Sequence, residues 1–269
     1  MRELPHRLRY AASILEPTAL ALRRFACPLC GGRFLVRLAR SELGVRCLRC
    51  GASATTLSLA SVLRAERPGF AAGRVYELSS RGPLFEFLRR EVADLTFSEY
   101  FDGVAPGEYR DGVQCQDVAR LTFADGSFDL VTSTEVFEHV PDDRRGFAEV
   151  RRVLRPGGAF LFTVPIENAE RTVERAVLER GAVRHLLPPA YHDDRIRGRG
   201  SVLVFRDYGR DITARLLGAG FDEARIDIRF AKTFFDTGRG VVVAKRALPG
   251  LRALSPETEP SPPRTRPAC

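Results

Sequence analysis

The chain has 269 residues, 44% of them hydrophobic, which allows one α/β domain plus a small accessory module and argues against wholesale disorder. No apolar run approaches the roughly 20 residues needed to cross a bilayer, and the charged start MRELPHRLRY leads into no signal-peptide core, so a cytoplasmic protein without a membrane span is expected. The net charge of +8 is carried almost wholly by arginine; it reads first as a solvated basic surface and second as a surface for an acidic partner or RNA.

In chain order, Ile14, Leu15, Leu20 and Leu22 among Ala and Arg predict a lead-in helix within residues 1–25, interrupted at Pro17. Residues 26–55 are rich in Cys, Gly and Arg, and 56–72 read as a linker helix stopped by Pro68-Gly69. From Gly73 strands alternate with helices: strands over 74–79, 94–100, 113–118 and 128–133, helices over 84–91 and 142–154, the last ended by Pro156-Gly157-Gly158. A buried strand over 159–165 follows, then an irregular, charged insertion over 167–207, a helix over 212–217, and strands over 224–230 and 240–245. This alternation predicts a doubly wound, mostly parallel sheet over 73–247, followed by a Pro- and Ser-rich tail over 248–269 expected to be disordered.

The cysteines carry the sharpest local signal. Cys27-Pro-Leu-Cys30 and Cys47-Leu-Arg-Cys50 are sixteen residues apart, and a glycine follows each pair. Two such knuckles bring four thiolates into a tetrahedron around Zn²⁺ at about 2.3 Å, a closed and therefore structural site. The module resembles the zinc ribbons. Cys115 reads as a small core residue, and Cys269 ends the tail.

Four further motifs occur in one order: a small-residue turn after a strand (Glu77-Leu-Ser-Ser-Arg-Gly82), an acid at the next strand end (Glu99), Asp117-Val118, and Phe128-Asp-Leu-Val running through Glu135 and Glu138-His-Val140 to Leu154-Arg-Pro-Gly-Gly158. From Asp117 to Pro165 the wording resembles the class I methyltransferases, which run D-x-x-x-L-P-F-x-D-x-S-F-D-x-V, then E-x-x-E-H-V and L-R-P-G-G. The resemblance implies a Rossmann-like domain and S-adenosyl-L-methionine as cofactor. It implies Glu77, Ser79 and Gly82 in the first loop, Glu99 on the ribose, Asp117 near the adenine amine with Val118 beside the ring, and Thr134 with the Glu135–His139 segment at the methionine end. The family's first loop is normally D/E-x-G-x-G-x-G, and here it has a single glycine and a bulky Arg81.

No catalytic residue follows with certainty. His139, His192 and Asp193 are the candidates for a base, His192 and Asp193 because they lie side by side in the insertion. The expected function is methyl transfer to a small-molecule, lipid or sugar-linked acceptor. Two alternatives stand beside it. One is an RNA methyltransferase whose ribbon arginines (Arg33, Arg37, Arg40, Arg46, Arg49) meet phosphates; the other is a zinc-ribbon binding protein with a degenerate methyltransferase domain.

Overall fold

The computed structural model describes residues 13–41, 44–193 and 200–250. It opens with three antiparallel strands: β1 (Ala21–Arg24), β2 (Phe34–Arg37) and β3 (Val45–Cys47). Within the described part of 1–25, a 3-10 turn at Pro17–Ala19 and then β1 stand where a helix was expected. Pro17 fixes the turn, and the backbone of Leu22 finds a ladder partner in Val36. Leu20 and Leu22 are about 60% exposed, so they form no buried helical stripe.

Helix α1 (Ala54–Glu66) begins at Ser53, whose hydroxyl accepts from the Thr56 amide at 3.3 Å. Expected as a linker, it is a core element, with Leu57, Leu59, Ala60 and Leu63 fully buried. Then come β4 (Arg74–Glu77), α2 (Gly82–Glu91), β5 (Asp94–Glu99), β6 (Tyr109–Arg110), β7 (Val113–Cys115), β8 (Phe128–Thr134), α3 (Asp143–Val153) and β9 (Leu154–Thr163). Six short strands follow: β10 (Val173–Glu174), β11 (Ala176–Glu179), β12 (Ala182–His185), β13 (Tyr191–Asp193), β14 (Ser201–Leu203) and β15 (Arg206–Asp207). The chain ends its described part with α4 (Ile212–Gly218), β16 (Glu223–Asp227) and β17 (Val241–Lys245). Cys269 and most of the expected tail lie outside the described residues.

Eight strands form the central sheet in the order β16-β17-β9-β8-β4-β5-β7-β6. The five from β9 to β7 are parallel; β17 and β6 run against them, and β16, antiparallel to β17, runs with them. The architecture is doubly wound. Because alternate strand residues face opposite sides, Val75, Leu130, Leu161 and Val243 pack under the ribbon, α1 and α2. Their neighbours Tyr76, Val131, Phe160, Phe162 and Val242 pack under α3 and α4. Helix α3 puts Phe147, Val150 and Val153 in that second core, with Phe147 stacked on Phe137 at 4.6 Å.

Two local expectations are corrected. Pro156-Gly157-Gly158 is no helix stop: the chain passes from Val153 straight into β9, and these residues lie where β9 and β8 shift register. Gly157 takes φ +79°, which a side chain would resist. The insertion over 167–207 is not irregular either. It folds as three antiparallel ladders, β10 with β15, β11 with β12, and β13 with β14.

Candidate functional site

The sheet moves outward from β4 to β5 and β7, then returns to place β8 on the other side of β4. That reversal opens a crevice beyond the strands' carboxyl ends, the place where open α/β sheets take ligands. Glu77, Glu99, Cys115 and Thr134 end the four strands around it.

Glu99 is 3% exposed, and its Oε1 is surrounded by the turn after β4. The Ser80 amide donates to it at 2.9 Å, the Ser80 hydroxyl at 3.0 Å and the Ser79 hydroxyl at 3.4 Å. The glycine-poor loop thus supplies hydroxyl donors where its glycines are missing, and Arg81 is turned outward to solvent. Gly82 at φ +90° starts α2, whose first amides follow this loop. Glu77 is 1% exposed and accepts from the Thr132 hydroxyl, so it anchors β4 to β8 rather than lining the crevice. Burial, and then the nearby Glu99, push its carboxyl up to about 8.

Asp117 is half-buried, and its Oδ1 accepts from the Ala119 amide at 2.9 Å, which closes the turn after β7. Val118 is 8% exposed and packs in the core beneath α3. At the ends of β8 and β9, Thr134 lies opposite Thr163, and the hydroxyl oxygens of both are buried with no hydrogen-bond partner among the described residues. Unsatisfied buried hydroxyls at a strand end fit a polar ligand bound across it, because leaving such groups unmade costs about 1–3 kcal/mol each. This donor set suits a nucleoside with a polar tail: a carboxylate at the β5 end, an acid in the β7 turn, and hydroxyls at the β8 and β9 ends.

Beyond β8 the chain turns sharply, with Glu135 at φ +53°, into a 3-10 turn over Phe137–His139. The buried Arg206 guanidinium donates to the carbonyls of Phe137, Val140 and Pro141 and so fastens the insertion to this turn. The Phe205 amide donates to the Glu138 carbonyl at 2.8 Å. These contacts bring two of the three candidate bases together: the rings of His139 and His192 lie 5.1 Å apart, at 87° to each other. Glu138, 1% exposed, lies between them, 3.7 Å from His139 Nε2 and 3.6 Å from His192 Nδ1. Its carboxylate raises the His192 imidazole above its usual range. Asp193 pairs through its backbone with Ser201. Sequence reasoning missed Ser80 and Arg206, which carry no motif; Glu138 lay within the Glu135–His139 segment that the resemblance implied, without a role of its own.

The four ribbon cysteines also converge. Cys27 Sγ is 3.8 Å from Cys50 Sγ, and Cys30 Sγ is 3.6 Å from Cys47 Sγ. Four thiolates at about 2.3 Å from one tetrahedral ion would lie about 3.8 Å apart, so the spacing fits zinc. Gly31 and Gly51 take φ +66° and +75°, and the Gly32 amide points at Cys30 Sγ at 3.4 Å. A Cβ on Gly32 would stand 3.1 Å from Cys30 Sγ and 3.2 Å from Cys47 Sγ. Among the ribbon arginines, Arg37 and Arg49 donate to ribbon carbonyls, those of Ala19 and Cys30.

Residues 30–162 match the family model of the methyltransferase domain. Sarcosine/dimethylglycine N-methyltransferase of Halorhodospira halochloris is 35% identical over 91 residues, 33% of this chain and 33% of that protein. Ubiquinone biosynthesis O-methyltransferase of Coxiella burnetii is 37% identical over 82 residues, 30% of this chain and 34% of that protein. This chain therefore spans about a third of the length of these curated relatives. A solved glycopeptide N-methyltransferase complexed with sinefungin is 23% identical, with a TM-score of 0.45 over 71% of this chain and 94% of that one. Among the described residues, no helix is long and apolar enough to cross a membrane.

Proposed function

We propose that the chain transfers a methyl group from S-adenosyl-L-methionine to a small-molecule acceptor, with a zinc-bound ribbon as a structural part of the same fold. The observation that carries the reading is Glu99, a buried carboxylate at the end of β5, at the topological switch of a methyltransferase domain. When bound, the cofactor supplies a sulfonium whose methyl is already electrophilic. The chain's own residues bind and orient. Glu99 accepts from two ribose hydroxyls, exchanging them for the bonds it now accepts from Ser79 and Ser80. Asp117 accepts from the adenine amine, and the Thr134 and Thr163 hydroxyls meet the methionine end. Glu138, His139 and His192 lie past the end of β8, where the acceptor would enter.

The acceptor class draws support from the relatives. One is named for N-methylation of sarcosine and dimethylglycine, another for O-methylation in ubiquinone biosynthesis, and both acceptors are small. The inward bonding of Arg37 and Arg49 takes two cations from a surface for RNA phosphates.

Calorimetry with S-adenosylhomocysteine tests the reading. Charge-assisted bonds are worth roughly 1.5–3 kcal/mol each, so Glu99→Ala should weaken binding by tenfold to a hundredfold or more. Absence of binding to the wild-type chain at millimolar ligand would mean that the Ser79-Ser80 turn closes the crevice and the domain is degenerate.

A further inference from the structure

Among the described residues, Glu138 has no hydrogen-bond donor for either carboxylate oxygen, although it is 1% exposed. A bare carboxylate removed from water is among the costliest arrangements in a fold, unless something positive lies against it. The groups beside it are two imidazoles. Their distances to it, 3.6 and 3.7 Å, are longer than hydrogen bonds. His139 Nδ1 is 2.8 Å from the Leu203 carbonyl oxygen, to which it must donate its proton, since a carbonyl only accepts. In the neutral ring this leaves Nε2 as a bare lone pair facing Glu138. An acceptor then faces an acceptor, and a cation between them would satisfy both.

We infer that Glu138, His139 and His192 hold one divalent transition-metal cation. One ligand atom from each residue lies within 4.8 Å of the others. Ligands at about 2.1 Å from a tetrahedral ion stand about 3.4 Å apart, so the two gaps from Glu138 to the histidines need to close by only a few tenths of an ångström, and the histidine nitrogens start within 4.8 Å of each other. Two imidazole nitrogens and one carboxylate oxygen suit Mn²⁺, Fe²⁺ or Zn²⁺. The site has a supporting layer as well. The Leu203 carbonyl fixes the His139 tautomer, and Arg206 locks the turn that presents Glu138. Because His192 and Leu203 come from the β13–β14 ladder, the insertion completes the site.

Three protein ligands leave a coordination position open, the mark of a catalytic rather than a structural ion. His192 is half-exposed, so the open side is reachable from solvent. This rests on the methyl-transfer reading and deepens it, because it names an acceptor class: a hydroxyl compound whose oxygen ligates the cation. There the O–H becomes acidic and its proton leaves to water. The oxyanion forms the new O–CH₃ bond as the S–CH₃ bond breaks with its electron pair kept on sulfur. The sulfonium and the oxyanion become a thioether and an ether, so charge balances.

The probe is Mn²⁺ titrated into the full chain with its ribbon zinc-loaded, followed by electron paramagnetic resonance, with S-adenosylhomocysteine binding measured on the same samples. The wild type should take up one Mn²⁺, and both His192→Ala and His139→Asn should weaken uptake at least about tenfold. Because His192 is half-exposed, its variant tests the site without risk to the fold. No uptake at millimolar Mn²⁺, or equal uptake by the variants, overturns the inference, and Glu138 is then held by a protonated histidine. Absence of Mn²⁺ uptake by the wild type with intact S-adenosylhomocysteine binding refutes the metal alone. Mn²⁺ uptake without S-adenosylhomocysteine binding refutes methyl transfer and leaves the metal site standing.

Discussion

The ribbon end and the carboxyl edge of the sheet both gather reactive side chains, yet they treat them in opposite ways. At the ribbon, the thiols turn toward one another, and the carbonyls of Cys27 and Cys47 are closed by the amides of Gly31 and Gly51. The module is continuous with the main core: Leu29, Leu35 and Val45 pack in one cluster with α1 and α2, and Phe25 lies edge-on to Phe234 at 5.3 Å. At the carboxyl edge, buried polar atoms of Thr134, Thr163 and Glu138 find no hydrogen-bond partner among the described residues. A closed, satisfied cluster stabilises a fold; an unsatisfied one is held in place by the fold for something that binds. If this contrast is right, perturbing the first end should cost stability, and perturbing the second should cost ligand.

The largest effect is expected at the ribbon. Purified chain should contain about one zinc with four thiolate ligands, a site worth on the order of 10 kcal/mol to a small domain at neutral pH. Cys47→Ser should lose this metal. Because Leu29 and Leu35 share their core with α1, the loss should reach the main domain and lower the Tm by roughly 10 °C or more. A variant, or a chelated wild type, that melts with the metal-free and metal-bound forms indistinguishable would leave the cysteines without a structural role.

A smaller effect on stability tests whether the carboxyl edge carries strain of its own. Glu77 titrates near 4.5 when unfolded and is pushed up to about 8 in the fold by burial. Between those pH values the folded chain holds a proton that the unfolded chain has released, so stability falls as pH rises through that window and levels off above it. Wild-type unfolding in urea should therefore lose on the order of a few kcal/mol from pH 5 to pH 8, and Glu77→Gln, neutral throughout, should lose much less. Equal slopes for the two proteins would place the charge of Glu77 in a wetter setting than the one described.

How far the sequence reaches also differs between regions. The strand-end acids were legible because a parallel sheet writes itself as apolar runs ending in polar residues: Phe128–Thr134 and Leu154–Thr163 are buried along most of their lengths. The knuckles were legible because metal geometry fixes their spacing. The insertion was not. Its ladders pair two to four residues at a time, and β12 is exposed throughout, so no alternation marks its faces. Nor could the sequence foresee that Ser80 would bond to Glu99, since that depends on the path of a turn. Glu138 stood in plain sight in Glu138-His-Val140, but its burial between two histidines exists only after the insertion folds back.

The smallest effect is expected at Asp117, and it is the sharpest test of the edge as a nucleoside site. One of its oxygens already accepts from the Ala119 amide at 2.9 Å, so only part of the carboxylate is left for a ligand. The adenine amine offers it one neutral donor, worth about 0.5–1.5 kcal/mol net. Asp117→Ala should therefore weaken S-adenosylhomocysteine binding roughly threefold to tenfold, well short of Glu99→Ala. Loss of the turn contact alone would produce a drop of similar size, so affinity by itself does not assign the role. The analogue in which hypoxanthine replaces adenine separates the two. It lacks the amine, so wild-type protein should bind it more weakly than the adenine compound, and Asp117→Ala should bind both alike. A variant that still prefers adenine by the wild-type factor would show that another group reads the amine and that Asp117 serves the turn.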